Sequence, residues 1–536
     1  MNDLLINSNL PLAIEHWEDL LGRDAVETNA SSLEALGRTT FKLFNPPSVA
    51  LYPKTREQVG EILKIAAEYR IPVYPISRGR NWGLGSKLST AKDCALIDLS
   101  GLNRILDYNE ELSFLTVEPG VTFAAASQFL KDKGSKHFLS VIGGPPDASI
   151  IGNVLERGEG LGPLGERSIS VCAIHALLAD GTVIKTGFSD ALNSKVHNLH
   201  RSGIGAAADG LFFQSNLGVV VQLTIWLQAN PKSFQAFCVS CSNEKERFTA
   251  FVTSFRELHE QGIVKPCSLA LWNSYKFLAS TESYPWQGGD VVKPENLLSY
   301  LHPRWSKTGW FGFGALYGGS KAHARADKKE LKRALKGKAQ KILVVDSFTA
   351  WLAEKFGKYL KGVVGVDMVT TVRSLYSKSL FLGNPSVLSL KSVYWRKKGP
   401  LPENFDPDRD RCGVIWLCHA VPFRGEDILE AEKLVQEHAF EYGFEPNIAL
   451  VNISERVLHL FVAIMFDRDI SGEDERAIAC HDRLFKALNS VGFTAYRLGI
   501  QSQHLYGEVI GERIIVKKLR EIIDPGQIIS RGRYDC

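Results

Sequence analysis

The 536-residue chain has no apolar run long enough to cross a bilayer, which takes about 18 to 20 residues. Its best candidate, Val457 to Phe466, contains His459 and reads as a buried strand. There is little charge of one sign either. Sixty-three basic residues face 59 acidic ones for a net +4, so nothing demands nucleic acid or an anionic membrane as a partner. The start, MNDLLINSNLPLAIEHWED, has acids and polar residues where a signal peptide carries a basic start and an apolar stretch, and a cytoplasmic location is expected. Nine cysteines, an odd number scattered from Cys94 to Cys536, give no disulfide framework. Cys238 and Cys241 form a C-x-x-C without a second pair, so they read as structural thiols on a strand, and no metal site is expected. Internal repeats and low-complexity tracts are also missing.

What is present is ordinary globular composition, 45% hydrophobic and 23% charged, over a length that calls for two or more lobes. From about Pro46 to Pro231 the chain is rich in glycine, short strands and tight turns. From about Lys232 to Gly492 helical and strand patterns mix, with charged helices such as Ala322 to Lys338; the last forty or so residues carry one helix and a glycine-containing tail. Thr55 and Gln58 make a capping box for a helix with Val59, Ile62, Leu63 and Ala66 on one face. VYPIS, CALIDLS and LSFLTVEPG follow as strands, and Asp180-Gly181 signals a type I′ hairpin turn. The order predicts an α+β fold with helices packed beside mixed sheets.

Ser77 to Ser86, SRGRNWGLGS, follows a strand and holds Gly79, Gly83 and Gly85. Closely spaced glycines let successive backbone N–H groups converge on a diphosphate, and Arg78 and Arg80 add positive charge. The segment is neither a Rossmann fingerprint nor a Walker loop, and alone it reads equally well as a connecting loop. Ile142 to Gly165, IGGPPDASIIGNVLERGEGLGPLG, is a second glycine-dense segment with interleaved apolar residues. Two such segments suit a long dinucleotide better than two unrelated loops.

SRGRNWGLG, ASIIGNVLERGEG and DGLFFQSNLGVV resemble three segments of the vanillyl-alcohol oxidase and 4-cresol dehydrogenase flavoproteins. NPPSVALYPKTREQVGEILKIAAEYRIPVYPIS is similar to their entry into the FAD domain, and GFTAYR with LREIIDPGQIISRGR to their tail. The resemblance implies a two-part FAD-binding domain of the PCMH type (residues 1–232), an α+β substrate or cap domain over the flavin (233–499), and a return to the first domain (500–536). The pyrophosphate would sit on the backbone of Arg78, Gly79, Arg80, Asn81 and Trp82. Ile150, Gly152 and Asn153, then Glu156, Arg157 and Gly158, would run along the cofactor, with Ile184 also in contact. Arg533 matches a basic position near flavin N1, where a cation stabilises the anionic reduced flavin. On the residues alone, Asn153 has a turn-stabilising asparagine as its alternative reading, and Arg533 reads equally as an exposed tail charge.

Tyr496 and Arg497 match the family's pair for a phenolate oxygen, a sound arrangement because an arginine and a phenol O–H together hold an oxyanion. His459 matches a pocket histidine, against a plain buried histidine. Asp410 is a candidate pocket carboxylate, against an exposed loop acid. The family's third phenolate-binding residue, a tyrosine, aligns with Leu84, and its catalytic aspartate with Gly144, Asp147 lying three positions on. The position bonded covalently to flavin aligns with Val414, which cannot form that bond, so dissociable FAD is expected; Cys412, two residues earlier on the same strand face, is the alternative atom source for a thioether link. His419 stands where the family usually has proline and would point opposite to Val414 in a regular strand.

The implied activity is hydride transfer from an alcohol or phenol-type substrate to flavin N5, with O2 or an electron carrier as acceptor. Its alternatives are a sugar, hydroxy-acid or lactone-forming oxidoreductase on the same scaffold, or a flavin-binding protein without turnover. A dimer or other homo-oligomer is expected by analogy alone.

Overall fold

Thr55 starts a helix as its sequence requires. Its side chain accepts from the Gln58 backbone while the Gln58 side chain returns to Thr55 N, and the helix runs Arg56–Tyr69. Val59, Ile62, Leu63 and Ala66 bury its apolar face against a four-stranded sheet. That sheet is ordered β1 (Val26–Glu27), β2 (Val49–Leu51), β4 (Ala95–Asp98), β3 (Val73–Ile76). β2 and β3 both run parallel to β4, and the helix supplies the crossover that parallel strands need. The computed structural model describes residues 2–535 except 190, 192, 289, 358–366 and 508–510.

A second, antiparallel sheet is ordered β5 (Ile105–Asn109), β6 (Phe114–Val117), β10 (Val219–Trp226), β8 (Val171–Leu177), β9 (Val183–Lys185). β7 (His137–Phe138) pairs separately with β11 (Gln228–Ala229). The β8–β9 hairpin forms, but not through the expected type I′ turn. Gly181 alone has positive φ (+81°), and its N–H closes on the Leu178 carbonyl. Ala179 and Asp180 thus make the turn and Gly181 takes the left-handed position after it; Asp180 instead accepts from Thr182 N.

The third sheet has eight antiparallel strands: β12 (Ser233–Cys241), β13 (Leu269–Asn273), β14 (Trp310–Gly318), β15 (Lys341–Val345), β16 (Cys412–Pro422), β17 (Asn447–Asn452), β18 (Val457–Asp467) and β19 (Ala495–Arg497). Their spatial order is β15-β12-β14-β13-β17-β18-β16-β19. Side chains alternate between two faces. Ile415, Leu417, Leu460, Val462 and Ile464 are buried under the helices Lys245–Glu260, Lys321–Leu335, Gly425–Glu441 and Glu473–Ser490. Cys412, Val414 and Met465 look the other way, towards the glycine-rich half. Cys238 and Cys241, three apart on β12, therefore lie on opposite faces and share no ligand. Among the described residues no cluster of His, Cys, Asp or Glu could hold a metal ion. His419 is on the helix-covered face, beside Phe485 and opposite Val414.

Two segments stitch the halves together. Phe41 is fully buried in the core of the large sheet, and Thr40 Oγ1 donates to the Val414 carbonyl at 2.7 Å. Ile528 and Ile529 return to the first sheet, where Val73 N–H donates to Ile528 O and Ser530 N–H to Val73 O. Among the described residues no helix is long and apolar enough to cross a membrane.

Candidate active site

β3 delivers the chain into the loop Ser77–Ser86, where Gly79 (φ +62°), Gly83 (+77°) and Gly85 (+122°) adopt left-handed backbone. A Cβ on Gly83 would lie 2.2 Å from the Trp416 ring, so only glycine allows this loop to meet β16. Among the described residues nothing accepts from the backbone N–H groups of Arg78, Gly79, Arg80, Asn81 or Trp82. Five successive donors without a protein partner, two of them on buried residues, fit a diphosphate.

The loop is held in place by three acids, of which the sequence singled out Asp147 alone. Arg80 pairs with Asp147 at 2.8 Å and with Asp406 at 2.9 Å. Asp408 accepts from Trp82 Nε1 at 3.1 Å and from Ser86 Oγ at 2.8 Å. Burial pushes the Asp408 carboxyl up to about 7 despite these hydrogen bonds. Asp147 is thus engaged with Arg80.

The second glycine segment lies alongside. Ser149 caps the helix Ile150–Leu155 by accepting from Gly152 N, and a Cβ on Gly152 would stand 3.5 Å from Ser77 Oγ. Ile150 is buried, and Asn153 Oδ1 accepts from Arg167 Nε at 3.1 Å. Arg167, another residue not foreseen, is buried over Phe123, and burial pushes its guanidinium down to about 10. Gly158 packs on the Asn153 side chain, Arg157 is exposed, and Ile184 is half-buried on the edge strand β9. Glu156 pairs with Arg533 at 2.7 Å and accepts from Tyr534 Oη at 2.7 Å. Burial drives the Glu156 carboxyl up, but Arg533 and Arg497 outweigh it and hold it below the usual carboxylate range. Arg533 is 5% exposed, a buried cation and not a loose tail charge.

Tyr496 and Arg497 enter on β19, paired to β16 at Cys418. Arg497 Nη2 donates to Asn81 Oδ1 at 2.8 Å, which joins the pair to the glycine loop across 416 residues of sequence. The Tyr496 ring lies flat on His459, centroids 3.6 Å apart, with Phe461 edge-on at 6.4 Å. The Tyr496 hydroxyl, next to the Cys418 thiol, and Arg497 Nε are buried and have no hydrogen-bond partner of normal geometry among the described residues. His459 Nδ1 meets the Glu159 carboxylate. Burial pushes the His459 imidazole down to about 3, so the ring is neutral and its Nδ1–H donates to Glu159. Glu159 lies inside the RGEG motif, but nothing in its spacing marks it as the partner of a residue 300 positions away.

Asp410 is not brought to this group. It accepts from Tyr394 Oη, Arg409 and the Asp406 backbone, before the start of β16. Cys418 lies six residues further along that strand from Cys412, roughly 20 Å away. Leu84 and Val414 are buried, and Cys412 Sγ contacts the Val393 carbonyl at 3.4 Å.

An FAD binding domain family matches residues 47–187, the part that carries both glycine segments. With the fold around it, that match defines an FAD-dependent oxidoreductase. The chain is 38% identical over 535 residues to 1'-carboxy-chondrochloren decarboxylase of Chondromyces crocatus, covering 98% of this chain and 97% of that protein. It is 25% identical to the 4-cresol dehydrogenase [hydroxylating] flavoprotein subunit of Pseudomonas putida, covering 97% and 94%. The chain belongs to this PCMH-type flavoprotein family and is an FAD enzyme, a dehydrogenase or oxidase. In fold it matches p-cresol methylhydroxylase with substrate bound, at TM-score 0.85 and 23% identity over 98% of this chain and 97% of that one. It also matches 4-ethylphenol oxidase from Gulosibacter chungangensis, at TM-score 0.84 and 20% identity over the same shares.

Proposed function

We propose that the enzyme oxidises a phenol-type substrate bearing a carboxylate, with loss of that carboxylate as CO2. The observation that carries the reading is the pair of unpartnered donors, Tyr496 Oη and Arg497 Nε, buried side by side over an aromatic wall. They suit a phenolate oxygen, whose charge two such donors stabilise in a water-poor site. FAD, when bound, supplies the hydride acceptor, with oxygen or an electron carrier as the final oxidant. Backbone N–H groups of Arg78 to Trp82 would hold its diphosphate, and Arg533 would face the ring.

In this reading Arg497 and Tyr496 bind the substrate as phenolate, and its charge helps a hydride leave the benzylic carbon. His459, neutral and fixed by Glu159, keeps the Tyr496 ring in place. The substrate is then a quinone methide. In a simple dehydrogenation the neighbouring carbon must next give a proton to a base. Here the nearby acids are already engaged, Asp147 by Arg80 and Glu159 by His459, and glycine stands at position 144. Breaking the C–CO2 bond returns an electron pair to the ring without any base, leaving a vinylphenolate and CO2. The 38%-identical relative is named as a decarboxylase, which favours the same leaving group.

The test is anaerobic mixing of FAD-loaded enzyme with 3-(4-hydroxyphenyl)propanoate. Bleaching of the flavin with one CO2 and one 4-vinylphenol per flavin is the expected result. Bleaching by 4-ethylphenol or an alcohol, with the carboxylate inert, would overturn the decarboxylating step and leave plain dehydrogenation.

A further inference from the structure

Trp272, Ala449, Phe461, Cys418 and Arg497 form one cross-strand row through β13, β17, β18, β16 and β19. Residues in register on neighbouring strands share a face, so this row crosses the site face, and its four strand spacings make it roughly 19 Å long. Trp272, Phe461, Trp416 and Cys238 on this face are only partly buried in mid-sheet, while their neighbours on the helix-covered face are fully buried. The contrast marks an aromatic wall that the chain's own side chains leave partly uncovered. Arg497 stands at one end of the row.

At the other end stands a second cation. Lys276, on the helix Ser274–Thr281, is 9% exposed and places Nζ 5.7 Å from the Trp272 ring centroid. Nζ donates to Ser392 Oγ at 3.0 Å, and no carboxylate pairs with it among the described residues. A buried ammonium without a counter-charge is costly and is normally paired or put to use. Ser392 Oγ in turn donates to Ser389 O, and Ser389 Oγ donates to the Gly143 carbonyl. The Lys276 head group is thus connected to the loop whose next residue, Gly144, replaces the family's aspartate.

We propose that Lys276, with Ser392, is an anion subsite that binds the carboxylate of the substrate while Arg497 and Tyr496 bind its phenolic oxygen. The subsite rests on the phenol-carboxylate reading given above. It also accounts for discrimination against product: once CO2 has left, the product carries no anion for Lys276, and that contact is lost. Burial pushes the free Lys276 amine down to about 8, in keeping with a charge that lacks its partner.

The test uses FAD-loaded enzyme and two ligands that differ only by CO2 and have no benzylic hydrogen to lose, 4-hydroxyphenoxyacetate and 4-methoxyphenol. Titration calorimetry should give about ten- to a hundredfold tighter binding of the carboxylate, as expected for one charge-assisted hydrogen-bonded contact. Lys276→Met should erase that preference and leave 4-methoxyphenol binding unchanged, which also shows the variant to be folded. Lys276→Arg should keep part of it. Equal binding by the wild type, or a preference that survives Lys276→Met, would overturn the subsite. Failure of both ligands to bind would instead remove the phenol reading on which it stands.

Discussion

Replacing Arg533 by methionine removes one partner of a buried ion pair and leaves the other behind. Arg533 contacts Glu156 at 2.7 Å, and after the change Glu156 keeps the Tyr534 hydroxyl and the weaker attraction of Arg497 but no ion-pair partner in contact. Losing one member of a fully buried pair typically costs about 3–5 kcal/mol. Glu156 has an escape, which is to take up a proton. From an ordinary glutamate pKa, protonation at pH 7 costs about 4 kcal/mol, which caps the penalty. The Glu156 side chain is also 21% exposed, and water reaching it lowers the figure to about 2–3 kcal/mol. Urea unfolding of the FAD-free protein at pH 7 should show that loss, and adding Glu156→Gln to Arg533→Met should recover at least half of it. The pH dependence follows from the sign of the shift. Glu156 is held low in the folded protein, so the pair stabilises above the unfolded glutamate pKa and its contribution is lost as pH falls through the folded value. In Arg533→Met the unpaired carboxyl is raised instead, so the variant regains stability as pH falls towards the unfolded glutamate pKa. The gap should narrow from pH 7 towards about pH 4 from the variant's side, and the wild-type share is lost only below that. A single variant within about 1 kcal/mol of wild type at pH 7, or a double variant no better than the single, would refute the reasoning.

Three further outcomes are expected. Gly83→Ala puts a Cβ against Trp416 at a φ of +77°, so backbone strain and overpacking together should cost about 2–5 kcal/mol and lower the FAD content of the purified protein, read from its absorbance ratio. Acid precipitation should release FAD into the supernatant, because Val414 offers no atom for a flavin bond; colour retained by the pellet would make Cys412 the first residue to substitute. The Asp408 carboxyl is raised to about 7, so its stabilising share is full below about pH 4 and is gone once pH has risen through 7; Asp408→Asn should flatten the fall in melting temperature between about pH 4 and 7.

Much of the cofactor half could be read from short-range pattern. The Thr55 capping box and the left-handed glycines of the Ser77–Ser86 loop depend on neighbours in sequence, and each is formed as its spacing requires. Tyr496 and Arg497 were legible only by resemblance, and the folded chain then brings Arg497 to Asn81. The run Asp406 to Asp410 marks the limit of such reading. Three acids alternate there with little to separate them, and Asp410 drew attention. Tertiary contact turns Asp406 and Asp408 onto Arg80, Trp82 and Ser86 instead and leaves Asp410 with Tyr394 and Arg409. Glu159 and Arg167 were missed for the same reason, since a buried charge is identified by the partner it meets. The Asp180-Gly181 turn failed more locally: Gly181 alone accepts positive φ, and the hairpin uses the longer connection.

The return of Ile528 to Asp535 has a consequence for how the protein is made. Strand β3, the glycine loop and Glu156 are complete early in synthesis, but Val73 waits for Ile528 and Ser530, and Glu156 for Arg533 and Tyr534. All of the large sheet is translated in between. A nascent chain therefore carries a basic glycine loop and a buried-type carboxylate without their closing residues through most of its synthesis, and the cofactor cleft is among the last parts to become whole. Cofactor capture would then report that folding has finished, so fusions or truncations that disturb residues 528–535 should yield colourless protein even when the large sheet is sound.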